Sequence, residues 1–341
     1  MRIFKYLKEL LGLPGNPDEE ISGVAQTLNQ DPAAPFTIAQ QSEPRPTAEA
    51  TPQGVLAYRK PAQVKDEFQA HPRRALVVTT VVSESRSVKA FLTDLETVVG
   101  EKGAFYEYGR FSEPAGDWLI VHAITSQGNT DASLVVSKAH QEFGSFHAQM
   151  FVGVAGSLKS DIPIGSVVVG DYVYNGHSAK VEDTETLVRP HSLVPARELL
   201  TASQGIIYLN EWIHLIRAPA GMTLPNQAHY PCNFPPLAAI KGIVSGEEVL
   251  AGGKSHRFAF LRSHFNDCGA VEMEGWGAMN AAHYENTPAI VVRGISDMCA
   301  GKDHASDNLH TYCGCSRRRV RIQHPLISEQ GWQDGRTDSK W

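Results

Sequence analysis

The sequence predicts an α/β fold in which a parallel or mixed sheet is covered by helices on both faces. Three observations carry that prediction. Apolar, β-branched runs such as ALVVTTVV at 75–82 recur along the chain, with the unbroken hydrophobicity of strands buried on both sides. Between several of them lie segments whose apolar residues repeat at helical spacing. The chain's 341 residues, 42% of them hydrophobic, are enough to bury the core of one large domain with tails. Strands alternating with helices define this class, and its ligands sit at the carboxyl ends of the strands.

Residues 1–12 (MRIFKYLKELLG) place Ile3, Leu7, Leu10 and Leu11 on one face of a short amphipathic helix. Lys5 and Lys8 interrupt the apolar stretch, so it reads as neither a signal-peptide core nor a membrane helix. From 14 to 72 the chain is rich in Pro, Gln, Ala, Thr and Glu without apolar period, the composition of a disordered arm. Order is expected from Ala75, in a domain spanning 73–304. Strands are predicted at 75–82, 118–124, 150–155, 167–174, 240–244, 270–273 and 289–295.

Helices are predicted at 87–99, with Val88, Phe91, Leu92 and Leu95 on one face, and at 130–143, with Leu134, Val135, Lys138 and Ala139. Further helices are predicted at 195–202, 209–217, 257–265 and 274–284. The stretch 218–236, full of Pro, Asn and Gly, reads as a lid or an insertion. Residues 305–341 form a tail with few apolar positions, expected to be poorly ordered.

Composition removes several function classes. A net charge of -6 argues against nucleic acid as the main partner, because phosphate binding draws on a basic surface, so a small molecule is expected. No apolar run is long enough to span a bilayer. Five cysteines, unevenly placed, do not make a disulfide framework and point to a reducing, cytoplasmic compartment.

Motifs for other chemistries fall short. The AGGKS at 251–255 has Glu248 where a phosphate loop needs glycine. The glycines at 153 and 156 lack dinucleotide-fingerprint spacing. His304, His310, Cys313 and Cys315 match no familiar zinc spacing, and G-x-S-x-G is absent. Neither a metal nor a cofactor is expected.

The most informative stretch is 270–303, AVEMEGWGAMNAAHYENTPAIVVRGISDMCAGKD, which reads as strand, helix, turn, strand and loop. Glu272 and Glu274, one residue apart at a strand end, fall on the same side of the chain. Asp297 follows the apolar run AIVVRGIS and is delivered to the sheet's mouth. Taken singly, Glu274 reads equally well as a helix N-terminal acid and Asp297 as a loop cap.

VEMEG followed after a helix by VVRGISD resembles the nucleoside phosphorylase and nucleosidase superfamily, and within it the methylthioadenosine/adenosylhomocysteine nucleosidases. The supporting segments are TTVVSESRSV (79–88), FVGVAGSL (151–158), IGSVVVGDYVY (164–174) and IVSGEEVLA (243–251). They follow the family's order and cover most of 74–303. The resemblance implies a mixed, twisted sheet partly closed into a barrel and flanked by helices, assembled as a homodimer or higher oligomer.

It further implies cleavage of a purine N-ribosidic bond, with adenine nucleosides or nucleotides as substrates and methionine salvage among the settings. Such cleavage passes through an oxocarbenium-like state, with positive charge on the sugar and negative charge on the departing base. On the family's pattern Asp297 is the acid at purine N7 and Glu84 activates the attacking water. Glu274 binds ribose hydroxyls, and Met273 packs on the sugar. Glu272, Ala155, Gly156 and Ser245 complete the substrate-facing set.

A phosphate nucleophile would need arginines beside the glycine-rich strand end. That neighbourhood reads Phe151, Val152 and Gly153, and the only nearby candidate is Arg86, so water is the favoured nucleophile. Val154 and Ser157 depart from the family pattern, which often has a hydroxyl residue and a glycine there. A phosphorylase and a weakly catalytic nucleotide-binding effector module stay open as alternatives, the latter motivated by the N-terminal arm.

Overall fold

A computed structural model describes residues 58–113, 116–210, 212 and 237–299. The predicted helix at 1–12, the arm before 58, the stretch 218–236, the tail after 304 and the His/Cys quartet lie outside the described residues.

The first described helix, α1 (Pro61–Ala70), falls inside the predicted arm and corrects it. Pro61 starts it, and the Gln63 side chain accepts the Lys60 N–H at 2.6 Å. Val64 and Phe68, four residues apart, are fully buried, and Phe68 meets Tyr108, Phe143 and Phe146 edge-on. Two apolar positions leave too sparse a stripe to register as a period. One buried aromatic side chain nevertheless contributes on the order of 1.5–3 kcal/mol. Ordered, packed structure therefore begins well before Ala75.

After β1 (Arg74–Thr79) comes α2 (Val82–Lys89), and a second correction follows. The predicted helix at 87–99 stops at Lys89, and the chain instead forms β2 (Thr93–Val99), antiparallel to β3 (Phe105–Phe111). The helical spacing of Val88, Phe91, Leu92 and Leu95 was coincidental. What decides is the cross-strand pair Val98 and Tyr106, both buried against α1's cluster, while Asp94 takes a φ of 50° at the irregular start of β2.

The remaining strands are β4 (Trp118–Ile124), β5 (Ala148–Ser157), β6 (Val167–Asn175), a ribbon of β7 (Ala179–Val181) and β8 (Thr186–Val188), β9 (Ser192–Leu193), β10 (Ala238–Ser245), β11 (Cys268–Glu272) and β12 (Ala289–Asp297). The helices are α3 (Asn129–Phe143), α4 (Arg197–Leu209), α5 (His256–His264) and α6 (Gly275–Tyr284). The helix predicted at 195–202 is α4 and extends further; the one at 209–217 lies almost wholly outside the described residues.

The main sheet runs β11-β10-β6-β12-β5-β1-β4-β3-β2, and β11 also pairs antiparallel with β5. That extra pairing closes β5, β12, β6, β10 and β11 into a five-stranded mixed barrel and leaves β1, β4, β3 and β2 as an open wing. The expected twisted, partly barrel-like α/β fold is the fold observed. No described helix is long and apolar enough to cross a membrane.

Strand β5 belongs to both halves. On one side it pairs with β1 as far as Phe151; the barrel strand β11 takes over at Gly156. Its other side is lined throughout by β12. The gap between 151 and 156 is where the sheet splits, and backbone groups there need partners from elsewhere.

Candidate active site

Glu84 supplies one such partner. It is the third residue of α2, and its buried carboxylate accepts the N–H groups of Thr80 at 2.8 Å and Val81 at 3.1 Å through Oε2. This is the reach-back of a capping box, which fixes the side chain against its own helix N-terminus. Its Oε1 accepts the N–H of Val154 at 2.5 Å, inside the gap in β5. Glu84 thereby fastens the loop after β1 to the barrel.

Opposite Val152 to Val154, β12 carries Val292, Arg293 and Gly294. The Arg293 side chain is buried to within 1% and stacks on the Phe151 ring, with its guanidinium carbon 4.1 Å from the ring centroid. A side chain at Gly153 would put its Cβ 1.5 Å from Arg293 Nη1 and 3.1 Å from Glu84 Oε1. Glycine at 153 is thus what lets the base candidate and this cation crowd onto one strand.

Arg293 reaches in turn to the end of β11. Its Nη2 donates to Glu272 Oε2 and lies 3.6 Å from Glu274 Oε2. Glu272 is turned to its own chain as well, accepting the N–H of Glu274 at 3.1 Å and that of Gly275 at 2.7 Å. It caps α6 and neutralises Arg293, while Met273 between the two glutamates is half-buried.

Glu274 is held far more loosely by hydrogen bonds, the N–H of Gly128 reaching it at 3.4 Å. Burial and the charge of Glu272 push its pKa up from 4.5 to about 7, against the opposing pull of Arg293 and the Gly128 N–H.

Asp297 stands further along. A bulge in β12 between Ile295 and Asp297 sets it beside Gly156, which also pairs with Val271 of β11. Such a bulge re-aims the side chain that follows it. Asp297 is buried; Oδ1 accepts the Cys299 N–H at 2.8 Å, and Oδ2 accepts the Ser296 hydroxyl at 3.1 Å. At the strand rise, the Gly153 and Gly156 levels are roughly 10 Å apart. Glu84, Glu272 and Glu274 form one group around Arg293, and Asp297 forms a second level on the same strand.

Two of the other expected substrate residues are engaged with protein. Ser245 donates to Asn129 Oδ1 at 2.8 Å and accepts the Trp276 N–H at 3.1 Å, and the Ala155 carbonyl accepts the Ser296 hydroxyl at 3.3 Å.

Sequence reasoning passed over Arg293 and Asn129. The arginine beside Gly153 is Arg293, from the far strand; Arg86, the sequence candidate, is exposed. A lone arginine inside AIVVRGIS was itself a signal, because an arginine in a buried strand must be paired. Asn129 uses both ends of its amide: Oδ1 accepts from Ser245 and from the Gly277 N–H at 2.8 Å, and Nδ2 donates to the Gly246 carbonyl at 2.8 Å and Glu247 at 2.9 Å. It locks the N-termini of α3 and α6 to the end of β10, and Gly128 beside it to Glu274. Nothing in the local sequence distinguishes it from an ordinary helix-start residue.

Among the described residues no group of three or more His, Cys, Asp or Glu is arranged to hold a metal ion. What the arrangement offers is several buried carboxylates around one arginine, and a further acid at the end of the same strand.

A sequence profile of the phosphorylase superfamily matches residues 76–314. The ATP nucleosidase Cap17 of Escherichia coli (strain KTE188) is 25% identical over 217 residues, covering 62% of this chain and 42% of that protein, so the chain spans about two-fifths of its length. Among solved structures, the 5′-methylthioadenosine/S-adenosylhomocysteine nucleosidase of Neisseria meningitidis superposes with a TM-score of 0.55 at 17% identity, over 72% of this chain and 94% of that one. The futalosine hydrolase of Helicobacter pylori strain 26695 gives 0.54 at 18%, over 72% and 95%. At these identities the structures speak for a shared fold.

Proposed function

Since the chain belongs to the phosphorylase superfamily, we propose that it hydrolyses the N-ribosidic bond of an adenine nucleoside or nucleotide and releases the free base. In this reading Asp297 shares a proton with purine N7, Glu84 activates water and Glu274 binds the ribose hydroxyls through an ionised carboxylate. Hydrogen bonds to Glu274 would strengthen as the sugar becomes cationic. Met273 would pack on the sugar, and Ala155, Gly156 and Ser245 would shape the walls.

The observation that carries the choice of water over phosphate is the engagement of Arg293. A dianion is bound by an arginine with donors to spare for a bidentate contact. Arg293 is paired with Glu272, lies near Glu274 and stacks on Phe151, so a phosphate arriving there would meet carboxylates that repel it. The relative named an ATP nucleosidase supports a nucleotide substrate, and the neighbours named for methylthioadenosine and adenosylhomocysteine support a thioether nucleoside. A homodimer in the cytoplasm is part of the same reading.

The test is incubation with adenosine, methylthioadenosine, adenosylhomocysteine and ATP, with and without phosphate. Free adenine at a rate indifferent to phosphate is expected. Ribose 1-phosphate that appears only with phosphate would establish the phosphorylase alternative. No base from any of the four would favour the effector module.

A further inference from the structure

Away from the carboxylate cluster, on the wing side of β1, four polar side chains, three of them buried, form a chain that the reaction outlined above does not use. Glu107 on β3 and His122 on β4 are directly opposite each other, and His122 Nδ1 donates to Glu107 Oε2 at 3.0 Å. His122 Nε2 lies 3.0 Å from the hydroxyl of Thr79, the last residue of β1. The other oxygen of Glu107 is ion-paired with Lys89, the last residue of α2. Thr79, Glu107 and His122 are all buried, and a buried carboxylate is retained only where partners of this kind compensate its lost hydration.

The two ends of this chain bracket Glu84. Thr79 immediately precedes Thr80 and Val81, whose N–H groups hold the Glu84 carboxylate, and Lys89 closes the helix on which Glu84 sits. One carboxylate, Glu107, therefore fastens the segment 79–89 at both ends, through His122 at one and through Lys89 at the other. We propose that Glu107, with Lys89 and His122, is a positioning device that fixes where the Glu84 carboxylate stands against Val154 and Gly153. Helix α2 is only two turns long, and without the Lys89 anchor its far end is free to tilt, carrying Glu84 with it.

The inference rests on the reading of Glu84 as the group that activates water. Its prediction is a loss in kcat at constant KM, because ribose binding is assigned to Glu274 on the opposite side of Arg293. Adenine release is measured for Lys89→Met, Lys89→Arg, Glu107→Gln and Glu84→Gln in the full chain, with thermal unfolding of each.

Glu84→Gln is expected to lower kcat about 10²–10⁴-fold. Lys89→Met and Glu107→Gln are expected to lower kcat about tenfold or more with KM within twofold, and Lys89→Arg to restore most of it. Unchanged kcat in Lys89→Met and Glu107→Gln beside a Glu84→Gln slowed to that extent overturns the positioning role and leaves the reading of Glu84 standing. A KM effect in place of a kcat effect also overturns it. A kcat in Glu84→Gln within about tenfold of the parent's sinks both, since a general base contributes about 10²–10⁴-fold. If Glu107→Gln fails to fold, Lys89→Met decides alone, since Lys89 is the partly exposed partner of the pair.

Discussion

Glu84 and Glu274 are buried carboxylates on either side of Arg293, and the protein holds them by opposite means. Glu84 is gripped by three backbone N–H groups from two elements, donors that cannot move without moving a strand or a helix. Glu274 receives one long N–H bond, and its proton affinity is set by burial first, with Glu272 pushing it further up and Arg293 pulling it down. The first arrangement specifies a position. The second specifies a protonation state, and leaves the side chain's hydrogen-bonding capacity for the sugar hydroxyls proposed above.

That contrast breaks most violently at the residue between them. Replacing Arg293 by Met leaves Glu272 and Glu274 buried without a counter-charge, at an expected cost of about 3–5 kcal/mol. Urea unfolding at neutral pH checks it, and the deficit should shrink in acid as the carboxylates take up protons. A cost under about 1 kcal/mol would mean that the cluster is not held by charge pairing.

Next in size is the pair Glu84→Gln and Glu274→Gln. For Glu84→Gln, kcat for adenine release should fall about 10²–10⁴-fold, the usual contribution of a general base. For Glu274→Gln the loss should include a raised KM, because a neutral amide is a weaker acceptor for ribose hydroxyls. Equal effects of the two substitutions on kcat and KM would erase the distinction between position and charge.

The third test is pH. Glu274 is protonated in the folded chain up to about pH 7, whereas unfolded it ionises near 4.5. Between these values the folded state binds the extra proton, so this group's contribution to stability is fully present below pH 4.5 and is lost as pH rises to about 7. Substrate binding should run the other way, with KM falling as pH rises through about 7 and the carboxylate ionises. Glu274→Gln should flatten both trends. A KM that stays level from pH 5 to 8 would falsify the assignment of Glu274 to the ribose.

The smallest effect is expected at Asn129. Asn129→Ala removes the amide that ties α3, α6 and the end of β10 together, leaving donors and acceptors unmet at a cost of about 1–3 kcal/mol. Its mark on activity should be in KM, through Gly128 and Glu274, with Glu84's contribution to kcat untouched.

What the sequence made legible follows the same division between pattern and balance. The buried strands of the barrel and the two inner strands of the wing, β1 and β4, announce themselves by runs such as ALVV and AIVV, because a strand covered on both faces has almost only apolar side chains. The outer wing was not legible. In β3, Tyr106 packs on Phe143 and Tyr108 on Phe68 of α1, partners distant in sequence, and Glu107 between them is inside because Lys89 and His122 meet it there.

The acids of the candidate site could be picked out from their motifs, but which of them share a cation could not. Sharing depends on Arg293 lying opposite Gly153, a register set by the closure of the barrel and not by any local run. Helix α1 was missed for a related reason: its stability comes from Phe68's partners at Tyr108, Phe143 and Phe146, distant in sequence.

The handover on β5 carries one more consequence. A strand flanked by β12 on one side and by β1, the Glu84 carboxylate and β11 in succession on the other cannot peel away from an edge, so its peptide groups open to water only when barrel and wing come apart together. The amides of Val152 and Val154 should therefore be among the last in the chain to exchange in heavy water. Their exchange rate would report directly on how firmly the two halves of the sheet are joined.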